Sequence, residues 1–297
     1  MKVLVFGSRG QVGWELERAL QPVGEVVALD RVALDLTDVL RVRQAVLDQR
    51  PRWVINAAAY TQVDQAEDDE ATARRINAEA VEAIATACTK VGATLVHYST
   101  DYVFSGVKDG AYAEGDRPQP LSAYGRTKLQ GEDAVRNAGC AHAIVRTSWV
   151  FSARGRNFLR TILRLATDRE ELRIVEDQLG APTSARFIAD ATVAMLWKAQ
   201  TVPELAARLA AGEVVNVCSS GTTSWFGFAQ YAIAQAALPR KPALTPIPTS
   251  AYPTRAVRPR NSVLSLERLR AIWGIEAPPW QVAADLVLRE LGLTADP

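Results

Sequence analysis

Residues 2–6, Lys-Val-Leu-Val-Phe, form a short apolar run that stops at Gly7-Ser8-Arg9-Gly10-Gln11-Val12-Gly13. From Trp14 to Leu20 apolar residues then recur with helical spacing. Strand, glycine loop and helix in that order open a βα unit, and few folds accept such an opening. Gly7 permits the tight turn, Gly10 lets backbone approach a pyrophosphate, and Gly13 lets helix and strand pack closely. The spacing is G-x-x-G-x-x-G rather than the more familiar G-x-G-x-x-G. Free N–H groups at the helix start complete a candidate dinucleotide site.

The alternation continues. Apolar strands are expected at 25–29, 52–55, 93–98, 141–146 and 214–217, with helices at about 39–49, 71–91, 123 onward, 157–166, 188–198 and 281–291. Strands alternating with helices imply a doubly wound parallel α/β sheet of the Rossmann type. Residues 1–150 are expected to form the dinucleotide-binding domain. Residues 151–297 supply mainly a smaller C-terminal substrate-binding lobe, with segments near 186–220 returning to the first. Residues 239–259 hold six prolines and read as irregular. The acidic stretch 64–70 reads as a solvated surface with a helix start.

Asp30 ends the second strand, where an acceptor for a ribose hydroxyl belongs. Arg9 and Arg31 argue for a 2′-phosphate instead, because a guanidinium grips phosphate bidentately. Two cations against one anion predict use of both NADPH and NADH, with a lean toward NADPH. Thr37 or Asp38 can cap the helix that follows, and Asp35 serves either that turn or the adenine amino group. After the third strand, Asn56 to Thr61 is a run of small residues on which a flat cofactor can lie.

Tyr124 and Lys128 stand four residues apart on one expected helix, and so share a face. A neighbouring cation favours a phenolate, so this pair can do proton chemistry, with Lys128 expected to lower the phenol's pKa. Ser99-Thr100-Asp101 ends the apolar run 93–98, and a hydroxyl at that strand's carboxyl end is placed to hold a substrate oxygen against Tyr124. Taken alone, Y-x-x-x-K is also an ordinary surface pair. In the basic patch of Arg255, Arg258 and Arg260, Arg258 and Arg260 are either diphosphate contacts or solvated loop charges.

Composition narrows the classes. The chain has 34 Lys plus Arg against 33 Asp plus Glu, a net charge of +1, which argues against coating nucleic acid or anionic membrane. Three scattered cysteines, Cys88, Cys140 and Cys218, read as buried thiols of a reducing compartment, and two histidines are too few for a histidine metal cluster. No apolar stretch approaches 18 residues, and the chain opens directly on a strand without room for a signal peptide. A cytoplasmic location is expected.

GSRGQVGWEL (7–16), INAAAYTQVDQAE (55–67), STDYVFSG (99–106), PLSAYGRTKLQGE (120–132), VRTSWVF (145–151), DQLGAPTSA (177–185) and SAYPTRAVRPRNSVLS (250–265) run along nearly the whole chain. Jointly they resemble the extended short-chain dehydrogenase/reductase family, and within it the reductases of 4-keto-6-deoxyhexose nucleotides. The resemblance implies a nucleotide-sugar substrate, reduction of its C4 keto group by NADPH or NADH, and allows a homodimer. It implies Tyr124 as acid, Lys128 as its modulator and Thr100 as hydroxyl partner. Gly7, Arg9, Gly10, Gln11, Val12, Gly13, Asp30, Arg31, Asp35 and Leu36 would hold the pyrophosphate and adenosine end. Ala59, Tyr60, Thr61 and Tyr98 would line the nicotinamide side. Thr100, Asp101, Tyr102, Trp149 and Arg258 would meet the substrate. Some members carry a magnesium ion at a subunit contact. Glu15 can serve there, but Arg186 stands where an acid is needed, which counts against the metal, and no metal ligand is assigned. A dehydratase of the same fold needs Asp-Glu after the threonine, and here Asp101 is followed by Tyr102. A non-catalytic, cofactor-sensing subunit is the alternative from another class, disfavoured by Thr100, Tyr124 and Lys128 occurring together.

Overall fold

A computed structural model describes residues 1–294. Six parallel strands form the central sheet, in spatial order Glu213–Asn216, His142–Thr147, Thr94–Thr100, Trp53–Asn56, Lys2–Phe6 and Glu25–Leu29. Trp53–Asn56 and His142–Thr147 are buried along their whole length, as expected for strands covered on both faces. The second and third strands flank the first on opposite sides, so the strand order reverses there. A crevice opens at the carboxyl ends of strands at such a switch point.

One core lies between the sheet and the helices Gln11–Ala19, Ala185–Thr201 and Pro203–Ala211. The other lies under Val39–Gln49, Ala80–Val91 and Ala123–Ala138. Phe158–Asp168, Trp225–Gln235 and Trp280–Glu290 pack around their own aromatic core, beside a parallel pair of strands, Glu171–Val175 and Ala243–Ile247.

The doubly wound parallel sheet is as expected, and several boundaries move for local reasons. The first helix starts at Gln11, directly after Gly10. The strand expected at 93–98 runs on through Thr100, so Ser99 and Thr100 belong to the sheet itself. The helix expected over 71–91 is interrupted by a π-helical turn at Arg75–Glu79. Buried Asn77 in that turn hydrogen-bonds the backbone of Tyr60 in place of a purely helical register. Residues 239–259 are not wholly irregular, since Ala243–Ile247 is a strand whose Pro246 is tolerated in a two-stranded edge.

The acidic stretch is not simply solvated. Asp64 clamps Arg258 at 2.8 and 3.3 Å, Asp68 pairs with Arg255, and Glu70 pairs with Arg126 at 2.8 Å. Glu67 accepts from the backbone N–H of Ala123 at 2.8 Å. The segment thereby ties the loop around 255–258 to the start of the helix that carries Tyr124. All three cysteines are buried and free. Among the described residues no helix is long and apolar enough to cross a membrane.

A polar column passes through the second core. Glu132, fully buried, accepts from Arg146 at 2.8 and 2.7 Å, from Ser99 at 2.6 Å and from Arg136 at 2.6 Å. Burial works against its carboxylate, but the Arg146 bonds and charge outweigh it and hold the pKa below the ordinary value. Removing one partner strands the other charge. Glu132→Ala is therefore expected to cost about 3–5 kcal/mol in urea unfolding, whereas joint replacement of Glu132 and Arg146 by leucine costs far less. Equal losses in both variants would mean that packing, and not the stranded Arg146, sets the penalty.

Candidate active site

The crevice at the switch point is a cleft of about 580 Å³. Gly7, Arg9, Gly10, Gln11, Val12, Asp30, Arg31, Asp35, Leu36, Ala59, Tyr60, Thr61, Tyr98, Tyr124 and Lys128 all line it. Gly13 does not. A Cβ there would fall 2.0 Å from the carbonyl oxygen of Gly7, so its part is the close packing of helix on loop. Gly7 has φ +83°, and a Cβ would lie 2.7 Å from Ala58 N, so this turn accepts only glycine.

Asp30 is pinned by its own turn. Its Oδ1 accepts from Val32 N at 2.9 Å and Ala33 N at 2.8 Å, while Oδ2 meets Arg9 Nε at 2.6 Å. The bond from Ala33, aided by Arg9, holds its pKa low against a smaller opposing effect of burial. Asp35 serves the turn, its Oδ1 accepting from Thr37 N and Oγ1 at 2.9 Å each, and it also lines the cleft. Its Oδ2 pairs with Arg31 at 3.1 Å. The helix cap itself is Asp38.

Ser122 caps the next helix, its Oγ accepting from Gly125 N at 3.1 Å. Tyr124 and Lys128 then occupy its first two turns and face the strand Thr94–Thr100. The expected lowering of the tyrosine's pKa by the lysine does not occur, because Lys128 Nζ donates instead to the carbonyl of Tyr98 at 2.6 Å. Tyr124 keeps part of its surface in the cleft, yet its enclosed setting pushes its pKa up to about 12, opposed by a hydrogen bond with Thr100. Burial brings Lys128 down to about 8, with the charge of Glu132 opposing.

Beyond Tyr124 lies a second group. Thr100 Oγ1 donates to Asp101 Oδ1 at 2.9 Å and accepts from Tyr102 N at 3.2 Å. The Tyr102 ring meets Tyr124 edge-on at 5.8 Å, and the charge of Arg258 faces Tyr102. Arg258 is therefore not a solvated loop charge, whereas Arg260 is exposed. Asp101 Oδ2 is buried with no hydrogen-bond partner among the described residues, and burial raises its carboxyl to about 6.

Trp149 belongs to another cluster. It holds a left-handed φ of +45°, and its ring stacks on Trp225 with centroids 3.5 Å apart. Trp225 Nε1 donates to Gln178 Oε1 at 3.1 Å, and any Cβ on Gly180 would strike the Trp149 ring.

Sequence reasoning missed Trp225, Gly155, Arg156 and Asn77. Asn77 exchanges both backbone bonds with Tyr60, at 2.9 and 3.1 Å, and donates to Thr127 at 3.2 Å. The only available signal for it was a polar residue amid apolar helix positions. Glu15 is engaged by Arg186 at 2.7 Å, so a guanidinium already takes the carboxylate that a divalent ion would need, and these two residues do not fit one.

The model of the RmlD substrate binding domain family matches residues 1–293. The chain belongs to that family. A dTDP-4-dehydrorhamnose reductase of Burkholderia thailandensis is 50% identical over 297 residues, covering 98% of this chain and 99% of that protein. Among solved structures, a dTDP-4-dehydrorhamnose reductase of Clostridium acetobutylicum superposes with a TM-score of 0.89 at 33% identity, covering 99% of this chain and 100% of the other. A Bacillus anthracis dTDP-4-dehydrorhamnose reductase in complex with NADP superposes at 0.86 and 33% identity, covering 97% and 99%. The cleft carries the glycine cradle of Gly7 and Gly10 and an acid, Asp30, at the end of the second strand.

A buried ammonium whose pKa is depressed opposes folding while it remains charged. At pH 7, Lys128→Met is expected to raise the unfolding free energy by about 2–3 kcal/mol. The gain should shrink from pH 8 toward about 10.4, where the unfolded lysine also loses its proton. A variant less stable than the parent at pH 7 would contradict a penalised ammonium.

Proposed function

We propose that this chain reduces the C4 keto group of dTDP-4-dehydro-6-deoxy-L-mannose to give dTDP-L-rhamnose, using NADPH or NADH. The observation that carries this reading is the junction at Tyr124, whose hydroxyl faces both the dinucleotide cleft and the Thr100–Tyr102 group. Full-length similarity to reductases of that name supports it.

When bound, the reduced nicotinamide supplies hydride to the keto carbon. Tyr124 donates its proton to the oxygen on which negative charge develops, and Thr100 hydrogen-bonds the same oxygen. Below a pKa of about 12 the phenol is neutral, which is the form a proton donor needs. Its low acidity makes the phenolate left behind costly, and Lys128, bonded to the Tyr98 carbonyl, lines the cleft where it can hold the nicotinamide ribose. Asp101, anionic above about pH 6, also disfavours the phenolate. Arg258, oriented by Asp64, meets the substrate diphosphate, and the Trp149–Trp225 pair offers a flat apolar face to the sugar nucleotide. Buried free thiols accord with a reducing, cytoplasmic setting.

The cofactor preference follows from charge. Arg9 partly neutralises Asp30, so repulsion of a 2′-phosphate is weakened and a modest lean toward NADPH results. Incubation with the keto sugar nucleotide should consume NADPH with a kcat/KM about tenfold above that for NADH. Tyr124→Phe should bind cofactor normally and lose about 10²–10⁴-fold in kcat. Absence of turnover in the parent chain would overturn the function; normal turnover in the variant would overturn the acid.

A further inference from the structure

The segment Ser152–Asn157 takes no part in the roles above, yet it walls the dinucleotide cleft. Gln11, the first residue of the helix behind the glycine loop, holds it in place. Gln11 Oε1 accepts from Ser152 Oγ at 2.9 Å and from Asn157 Nδ2 at 2.8 Å. Asn157 Nδ2 also donates to the carbonyls of Ser152 at 2.8 Å and Arg154 at 3.1 Å, which fixes the turn. Arg154 lies over the ring of Trp14, 3.9 Å from its centre, and Arg160 donates to the Gly155 carbonyl at 2.7 Å. Gly155, at φ +65°, reverses the chain directly against Gln11, whose Cγ would be 3.3 Å from any added Cβ. Gly155 and Arg156 consequently line the cleft beside Gly7, Gly10, Gln11 and Val12.

The charges in the cleft are unevenly committed. Arg9 is paired with Asp30 at 2.6 Å and Arg31 with Asp35 at 3.1 Å. Arg156 also lines the cleft, is exposed, and has no acidic partner among the described residues. A dinucleotide brings two negative charges in its diphosphate, and the helix start offers only N–H groups and about half a positive charge. Asp30, Arg31 and Asp35 gather at the adenosine end. Arg156 sits with the glycine loop and Gln11, where the diphosphate must lie if the cleft is read as above.

We propose that Arg156 is the counter-cation of the cofactor diphosphate, clamping it against the amino terminus of the helix Gln11–Ala19. The assignment rests on the dinucleotide reading of the cleft. It predicts a loss shared equally by NADPH and NADH, since the diphosphate is common to both. A contact to the 2′-phosphate would weaken NADPH alone.

The test is equilibrium binding of NADPH, NADH and adenosine 2′,5′-bisphosphate to the parent chain, Arg156→Gln, Arg156→Lys and Arg164→Gln. Arg164 is an exposed control on the following helix, paired with Asp168 and outside the cleft lining. Arg156→Gln should raise Kd for both dinucleotides by the same factor of about ten, discounted for an exposed guanidinium. Arg156→Lys should recover part of the loss, because a point charge remains without the bidentate fork. The bisphosphate, which carries the 2′-phosphate but only the adenosine-side phosphate of the diphosphate, should lose no more affinity for Arg156→Gln than the dinucleotides do, and Arg164→Gln should behave like the parent throughout. Kd values for Arg156→Gln within twofold of the parent would overturn the proposal, as would a loss confined to NADPH and the bisphosphate. A parent chain that binds neither dinucleotide would overturn the reading of the cleft itself.

Discussion

The ammonium of Lys128, buried beneath the helix Ala123–Ala138 and bonded to the carbonyl of Tyr98, is the contact to which its surroundings are fitted. Removing a charge from water is costly, and a single carbonyl repays only part of that cost. The helix must therefore sit very close to the sheet and to its neighbours. Gly125 and Gly131 make this possible, since a Cβ at either would fall 2.3 Å from the Tyr102 carbonyl oxygen or 2.2 Å from that of Asn77. Tyr124, Lys128 and Glu132 succeed one another at four-residue intervals on the buried face. Glu132 carries the compensating negative charge and is itself held by Arg146 and Ser99. Phenol, ammonium and carboxylate thus form one column.

The walls of the site are fastened to that column by side chains from other segments. Asn77 fixes Tyr60 on the cofactor side and touches Thr127 on the helix. Glu67 and Glu70 hold the first turn of the same helix, while Asp64 in the same segment orients Arg258 on the substrate side. The cleft wall at Tyr60, the helix start that carries Tyr124 and the loop that carries Arg258 are therefore linked through residues 57–70. A displacement of this segment would alter both halves of the site together.

What could be read from the sequence followed the range of the interactions. The glycine loop, the parallel strands and the Tyr124–Lys128 pair are local patterns with fixed spacing, and they are found where expected. Asp35 was readable only as an ambiguity, because a short carboxylate can serve a turn and face a cleft at once. The tyrosine's acidity was misjudged because four-residue spacing sets which face two side chains share, but not where an ammonium finds its acceptor. Arg156 reaches the cleft, and Trp225 reaches Trp149, from sequence-distant segments through tertiary packing. The strand Ala243–Ile247 was masked by its prolines, and the ion pairs of Asp64 and Asp68 by partners some 190 residues away.

The central claim is that this cleft delivers hydride to the keto carbon of a sugar nucleotide while Tyr124 protonates its oxygen. Reaction of dTDP-4-dehydro-6-deoxy-L-mannose with NADPH deuterated at the transferred position of the nicotinamide C4, followed by NMR of the product, addresses it most directly. Deuterium should appear only at C4 of the hexose, in a single configuration, and none should enter that carbon from deuterated solvent with unlabelled cofactor. Label that enters from solvent, sits at another carbon or is scattered over both configurations would contradict the account.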